Sequence, residues 1–216
     1  MKAIKFTYVD ILKSKSQLYL VILLLGVIGP WMTFNNPLLG IYYTSFGALV
    51  IGIQPFMQEQ TAETGFINML PGIRKNRVAG RYLYGLFLQV ISLVFLGVSL
   101  TVYTNFHKAP VYMIGGVLIS FGVSLLFCSL QYMLFYALGK MKSQQVASMV
   151  MMLPGFLMFF GVSYATEYIS KHVAITPQWL LENELIIGIS AALFGLVSWF
   201  LGIGVASIIT RKKDYM

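Results

Sequence analysis

A chain of 216 residues that is 58% hydrophobic and only 10% charged departs from soluble domains, where about a quarter of residues are charged, and reads as an integral membrane protein. Its net charge of +8 does not make it a nucleic-acid binder, because the bases stand at the ends of apolar runs and form no basic face interleaved with exposed aromatics. A lone cysteine, Cys128, excludes a disulfide framework.

Residues 1–16 place Ile4, Tyr8, Ile11 and Leu12 at helical spacing beside Lys2, Lys5, Lys13 and Lys15. This pattern predicts an amphipathic helix, over 1–17, lying on the cytoplasmic leaflet; a frayed extension of the first span is the alternative. The mixed polarity of this stretch is not that of a cleavable signal. Six apolar runs follow, over 18–34, 38–57, 82–104, 111–139, 146–166 and 185–210, each near or above the ~20 residues that cross a bilayer as a helix. They are continuous rather than alternating, so the expected fold is an all-α integral membrane protein with a six-span domain over 18–210. Gly29-Pro30 is expected to kink the first span.

Between the second and third runs lies a polar interruption, residues 58–81, too long for a tight hairpin turn. Its first half reads as a short helix with Phe66, Met69 and Leu70 near one face, ended by Pro71-Gly72. Asn76 is expected to cap the next helix, with Arg74, Lys75, Arg77 and Arg81 where it meets the membrane. The other reading is a solvated loop with a basic anchor. Of the fifteen Lys and Arg, all but Lys108 and Lys171 fall on the side of the termini and this segment, which places both termini and the basic tail 211–216 in the cytoplasm. On the outer side, Asn35-Asn36-Pro37 is a tight turn, and the loop 167–184 holds Thr176-Pro177, the start of a short interfacial helix that carries Trp179. Asn183 and Glu184 then favour the dipole of the last span.

The acids Asp10, Glu59, Glu63, Glu167, Glu182, Glu184 and Asp214 all fall outside or at the edges of the spans, which argues against a proton-coupled carrier. No phosphate-binding loop and no clustered metal ligands occur, so no catalytic, cofactor-binding or metal residue is expected in this chain. Gln54, Gln89 and Gln131 are expected to be satisfied between helices. Small residues recur on the fourth run at Gly116, Ser120, Ser124 and Cys128, and on the sixth at Ala191, Gly195, Ser198, Gly202 and Ala206; they allow close packing, within one subunit or between two. Met149, Met151, Met152 and Met158 around Pro154-Gly155 could form an adaptable wall for apolar cargo, or simply core and lipid contact.

The amphipathic start, Glu59, Gly65, Leu70-Pro71, Arg74 and the basic approach through Arg81 together resemble the membrane subunits of type-2 ABC exporters, specifically small bacterial six-span permeases without their own ATPase. Gly72-Ile73 departs from the pattern of many relatives, and the chain also resembles exporters of amphipathic peptide toxins. The resemblance implies a coupling helix at about 58–70 seated on a cytoplasmic ABC ATPase, with Glu59, Glu63, Phe66, Ile67, Met69, Leu70 and Arg74 at the contact. It implies two permease subunits, identical or related, paired with two ATPases that bind ATP and magnesium. A translocation path would run along the second and fifth spans, past Tyr42, Tyr43, Phe46, Gln54, Met152, Phe156, Phe160 and Tyr164. Aromatics and Met without buried charge suit an apolar or amphipathic cargo. Two further readings stay open: a non-transporting scaffold that recruits a cytoplasmic protein, and an immunity protein against a peptide toxin.

Overall fold

The computed structural model describes residues 2–13, 19, 23–35, 37–52, 74–107, 113–138, 149 and 182–212, and these contain helices and no strands. In chain order they are α1 (Lys2–Lys13), a π-helical turn (Leu24–Ile28) running into α2 (Gly29–Asn35), α3 (Pro37–Gly52), α4 (Arg74–His107), α5 (Met113–Leu138) and α6 (Glu184–Lys212). Three helices, over Asn76–Phe106, Ile114–Ala137 and Glu184–Arg211, are long and apolar enough to cross a membrane. Of the other expected crossings, 18–34 and 38–57 are described in part, as the π turn with α2 and as α3, and all of 146–166 except Met149 lies outside the described residues.

The kink expected at Gly29-Pro30 takes the form of the π turn directly before it. A proline within a helix removes one hydrogen bond and crowds the carbonyl four residues back, here Gly26, which falls inside that turn. Helix α2 ends at Asn35 and Pro37 opens α3, the helical position that tolerates a missing N–H. Gly40 of α3 lies against Thr33 of α2 so closely that a methyl group there would collide with it.

One expectation is corrected. Asn76 does not cap the third span; α4 starts at Arg74 and Asn76 lies in its first turn. Arg and Lys are good helix formers and outweigh the preference of Asn76 for a cap, so the helix continues out of the apolar run. With 34 residues α4 is about 51 Å long, against a hydrocarbon core of about 30 Å.

Contacts fix the helix directions. Ser92 of α4 donates to the Thr44 carbonyl of α3 (2.7 Å), and Ile41 clusters with Leu96 and Leu100 whereas Leu49 clusters with Val78, so α3 and α4 are antiparallel. Ser124 of α5 donates to Gln89 of α4 (2.9 Å), and Tyr82 to the Ser129 carbonyl (3.3 Å), which sets α5 antiparallel to α4 as well. The helices α5 and α6, by contrast, run side by side in the same direction. Gly115 meets Glu184 and Gly188, Gly122 meets Ala191 and Gly195, and Ser129 meets Gly202. Parallel α5 and α6 put the end of one and the start of the other at opposite ends of the bundle, as the expected order of crossings requires.

The α5–α6 seam is a stack of small residues seven apart on both helices, where added side-chain carbons would strike the opposite backbone. It ends on an aromatic knot: Tyr82, Tyr132 and Trp199 pack with ring centroids 5.0 to 5.9 Å apart and tie α4, α5 and α6 together. Gly85 lies so close to the Tyr132 hydroxyl and the Trp199 ring that a methyl group there would collide with both. Outside the seam, Ile186, Ile189, Phe194, Val197, Phe200 and Leu201 of α6 are exposed, the arrangement of a helix whose free side meets lipid.

Candidate functional site

The described helices carry their Lys and Arg at one end of the bundle: Lys2, Lys5 and Lys13 on α1, Arg74, Lys75, Arg77 and Arg81 on α4, Arg211 and Lys212 on α6. At this basic end α1 folds back onto the start of α4, and the joint is built at three levels. Gly80 lets the helices touch, since a methyl group there would meet Phe6 and the Ala3 carbonyl. The Thr7 hydroxyl reaches the Gly80 carbonyl (2.9 Å) as well as its own Ala3 carbonyl (3.2 Å). Asp10 Oδ2 faces Arg81 Nε at 3.9 Å, an ion-pair distance too long for a hydrogen bond. Both charged residues are more than nine-tenths buried. Ile11 adds an apolar contact to the cluster of Leu25, Ile51, Tyr84 and Leu88.

The two faces of α1 therefore do different work. Ala3, Phe6, Thr7 and Asp10 turn toward α4, while Ile4, Tyr8 and Leu12 are exposed at 65%, 60% and 52%. Those three are the residues whose spacing predicts membrane-surface binding, and they are left uncovered by the protein. Ile11, expected on the same stripe, packs inward instead, because it lies a turn beyond Thr7 on the side facing the bundle. Asp10 lies outside the spans, as expected, but its burial against Arg81 is a feature that sequence reasoning missed. Its signal was the spacing Ala3, Thr7, Asp10, a narrow stripe of small and polar side chains at helical intervals.

Just inside this joint the bundle is held by buried polar contacts. Tyr132 donates to the Gly52 carbonyl at the last described turn of α3 (2.6 Å), and Ser129 to the Ser198 carbonyl across the seam (3.0 Å). Gln89 accepts from Ser124, as expected of a glutamine satisfied between helices, but its amide nitrogen is buried without a partner. Beside it a cavity of about 10 Å³ is lined by Gln89, Ser92, Leu93, Leu96, Val117 and Phe121, room for one water. Gln131 is buried; Gln54 lies outside the described residues.

At the opposite end Glu184 opens α6, as expected, and its carboxylate also accepts from the Gly116 N–H in the first turn of α5 (3.0 Å).

Of the residues expected to engage an ATPase, Arg74 is the first residue of α4, at the basic end. Glu59, Glu63, Phe66, Ile67, Met69 and Leu70 lie outside the described residues. Of the expected path, Tyr42, Tyr43 and Phe46 are on α3, whose Ile41, Thr44 and Ala48 are buried against the bundle. Gln54, Met152, Phe156, Phe160 and Tyr164 are not among the described residues. No group of three His, Cys, Asp or Glu that could hold a metal occurs among the described residues.

This is a helical membrane bundle with a basic end against which α1 packs. The family model of the ABC-2 family transporter proteins matches residues 8–206, and the chain belongs to that family. Comparison with curated proteins and with solved structures finds no match.

Proposed function

We propose that the chain is the transmembrane subunit of an ATP-driven exporter, moving an apolar or amphipathic cargo such as a peptide toxin out of the cytoplasm. A separate ABC ATPase, binding ATP and magnesium, supplies the energy, and two permease subunits, identical or related, pair with two ATPases. Membership of the ABC-2 transporter family makes this a transport permease. The observation that carries the finer reading is the basic end itself. The gathered Lys and Arg face the cytoplasm by the positive-inside rule, and α4 rises from residues 58–73 as one continuous helix, so a push on that segment is delivered along a rigid rod. In this reading α3 lines the route together with the fifth span.

In this account Phe66, Ile67, Met69 and Leu70 give the apolar grip on the ATPase, and Glu59, Glu63 and Arg74 its polar contacts. Replacing Phe66 and Leu70 with Asp is expected to leave the subunit inserted but to abolish cargo transport by the purified complex while ATP hydrolysis continues. Unchanged transport would refute the assignment. Co-purification with a partner that lacks nucleotide-binding motifs would favour a scaffold instead, and toxin resistance independent of ATP an immunity protein.

A further inference from the structure

The buried ion pair at the joint has no part in that account. Asp10 and Arg81 lie more than nine-tenths buried at 3.9 Å, in a contact already held together by Gly80, Thr7 and Ile11. A buried charge pair is a poor adhesive: apolar side chains of similar volume often hold two helices as well or better, whereas removing one partner strands the other. What a charge pair does specify is register, because each charge is tolerated only opposite its counterpart. Here it fixes one axial position of α1 on α4, at a place one turn or two from Arg74.

The geometry points to Asp10 and Arg81 as positioning residues that lock α1 to α4, so that the two helices move as one body when α4 is displaced at its basic end. The other side of α1 gives that lock a consequence. Ile4, Tyr8 and Leu12 face away from the protein, an apolar edge of the kind that an amphipathic helix dips into a lipid surface. Helix α1 is thus held on one side by lipid and on the other by α4, and a tilt of α4 carries the lipid-seated helix with it. Without the pair, Thr7 and Ile11 still bind α1 to the bundle, but a slip of α1 along α4 no longer separates opposite charges. The proposal rests on the exporter reading only for the source of the displacement; the rigid coupling of α1 to α4 is independent of it.

The test uses the full chain in lipid nanodiscs, with its partner ATPase for transport and with a nitroxide on Tyr8→Cys for the motion of α1, the native Cys128 being buried. Asp10→Asn is expected to lower cargo moved per ATP hydrolysed roughly tenfold while hydrolysis itself stays within about twofold, and to sharpen the nitroxide spectrum toward a more mobile helix. Asp10→Glu, and the exchange of Asp10→Arg with Arg81→Asp, are expected to restore both. The apolar pair Asp10→Leu with Arg81→Met separates registry from adhesion: it is expected to fold at least as stably and still to transport poorly. Wild-type coupling in that apolar variant, or a wild-type spectrum and transport ratio in Asp10→Asn, would overturn the lock and leave the exporter reading intact. If the wild-type complex hydrolyses no ATP, the exporter reading fails, and the nitroxide comparison alone decides the lock.

Discussion

Two places in this bundle bring helix backbones into contact through glycine, and they are built on opposite principles. Along the α5–α6 seam, Gly115, Gly122, Gly188, Gly195 and Gly202 recur at sevenfold spacing, and the two helices touch over most of their length. At the α1–α4 joint a single Gly80 admits the contact, and the specificity comes from Thr7 and from the buried pair Asp10–Arg81. The seam is held by close packing with little polarity, which in a membrane is the main source of helix association. The joint lies at the membrane edge, where charge can be carried into a contact without crossing lipid. A seam of this kind resists separation; a joint of that kind resists sliding.

Substitutions at the seam should be the most damaging. Gly122→Leu or Gly195→Leu drives a side chain into backbone atoms of the opposite helix and is expected to cost roughly 4 kcal/mol or more, seen as loss of folded protein in thermal unfolding in detergent. At the joint, Asp10→Ala removes the carboxylate that faces the buried Arg81 and is expected to cost about 3 kcal/mol, the low end for a broken buried pair because a long guanidinium side chain can turn toward water. The comparison would fail if these two effects came out in the reverse order. Between the two regions, Tyr132→Phe leaves the Gly52 carbonyl without its donor and is expected to cost about 1–2 kcal/mol in the same measurement. Smallest of all, Phe200→Leu on the exposed side of α6 should change stability by less than about 0.5 kcal/mol; a larger loss would mean that this side is covered in the membrane.

The same contrast explains what could be read from the sequence. Long apolar runs announce helices without ambiguity, and α4, α5 and α6 stand within the expected runs or extend them by a turn or two. The sixth run's stripe of Ala191, Gly195 and Gly202 was legible as a packing face and lies in the seam, within one subunit. Its partner was not. The fourth-run stripe Gly116, Ser120, Ser124 and Cys128 faces α3 and α4 instead, through Ser124 to Gln89 and Ser120 to the Ile41 carbonyl, while the seam uses Gly115, Gly122 and Ser129. Small residues are so frequent on this helix that two faces satisfy the pattern, and only the neighbouring helix decides between them. The burial of Asp10 was missed for a related reason. A lone acid on an amphipathic helix looks solvated unless its counter-charge is known, and Arg81 is far away in sequence. In the same way the basic cluster at the start of α4 was visible, but its continuation of the helix was hidden by Asn76, whose preference for caps yields to the helix formers around it.

Glu184 sits where two parallel helices begin, as the first residue of its own and within reach of the Gly116 N–H of the other. Parallel neighbours add their dipoles instead of cancelling them, so the positive ends of α5 and α6 meet at one level and one carboxylate answers both. A single exchange there, Glu184→Gln, would loosen two helix starts at once, at the rim farthest from the basic end.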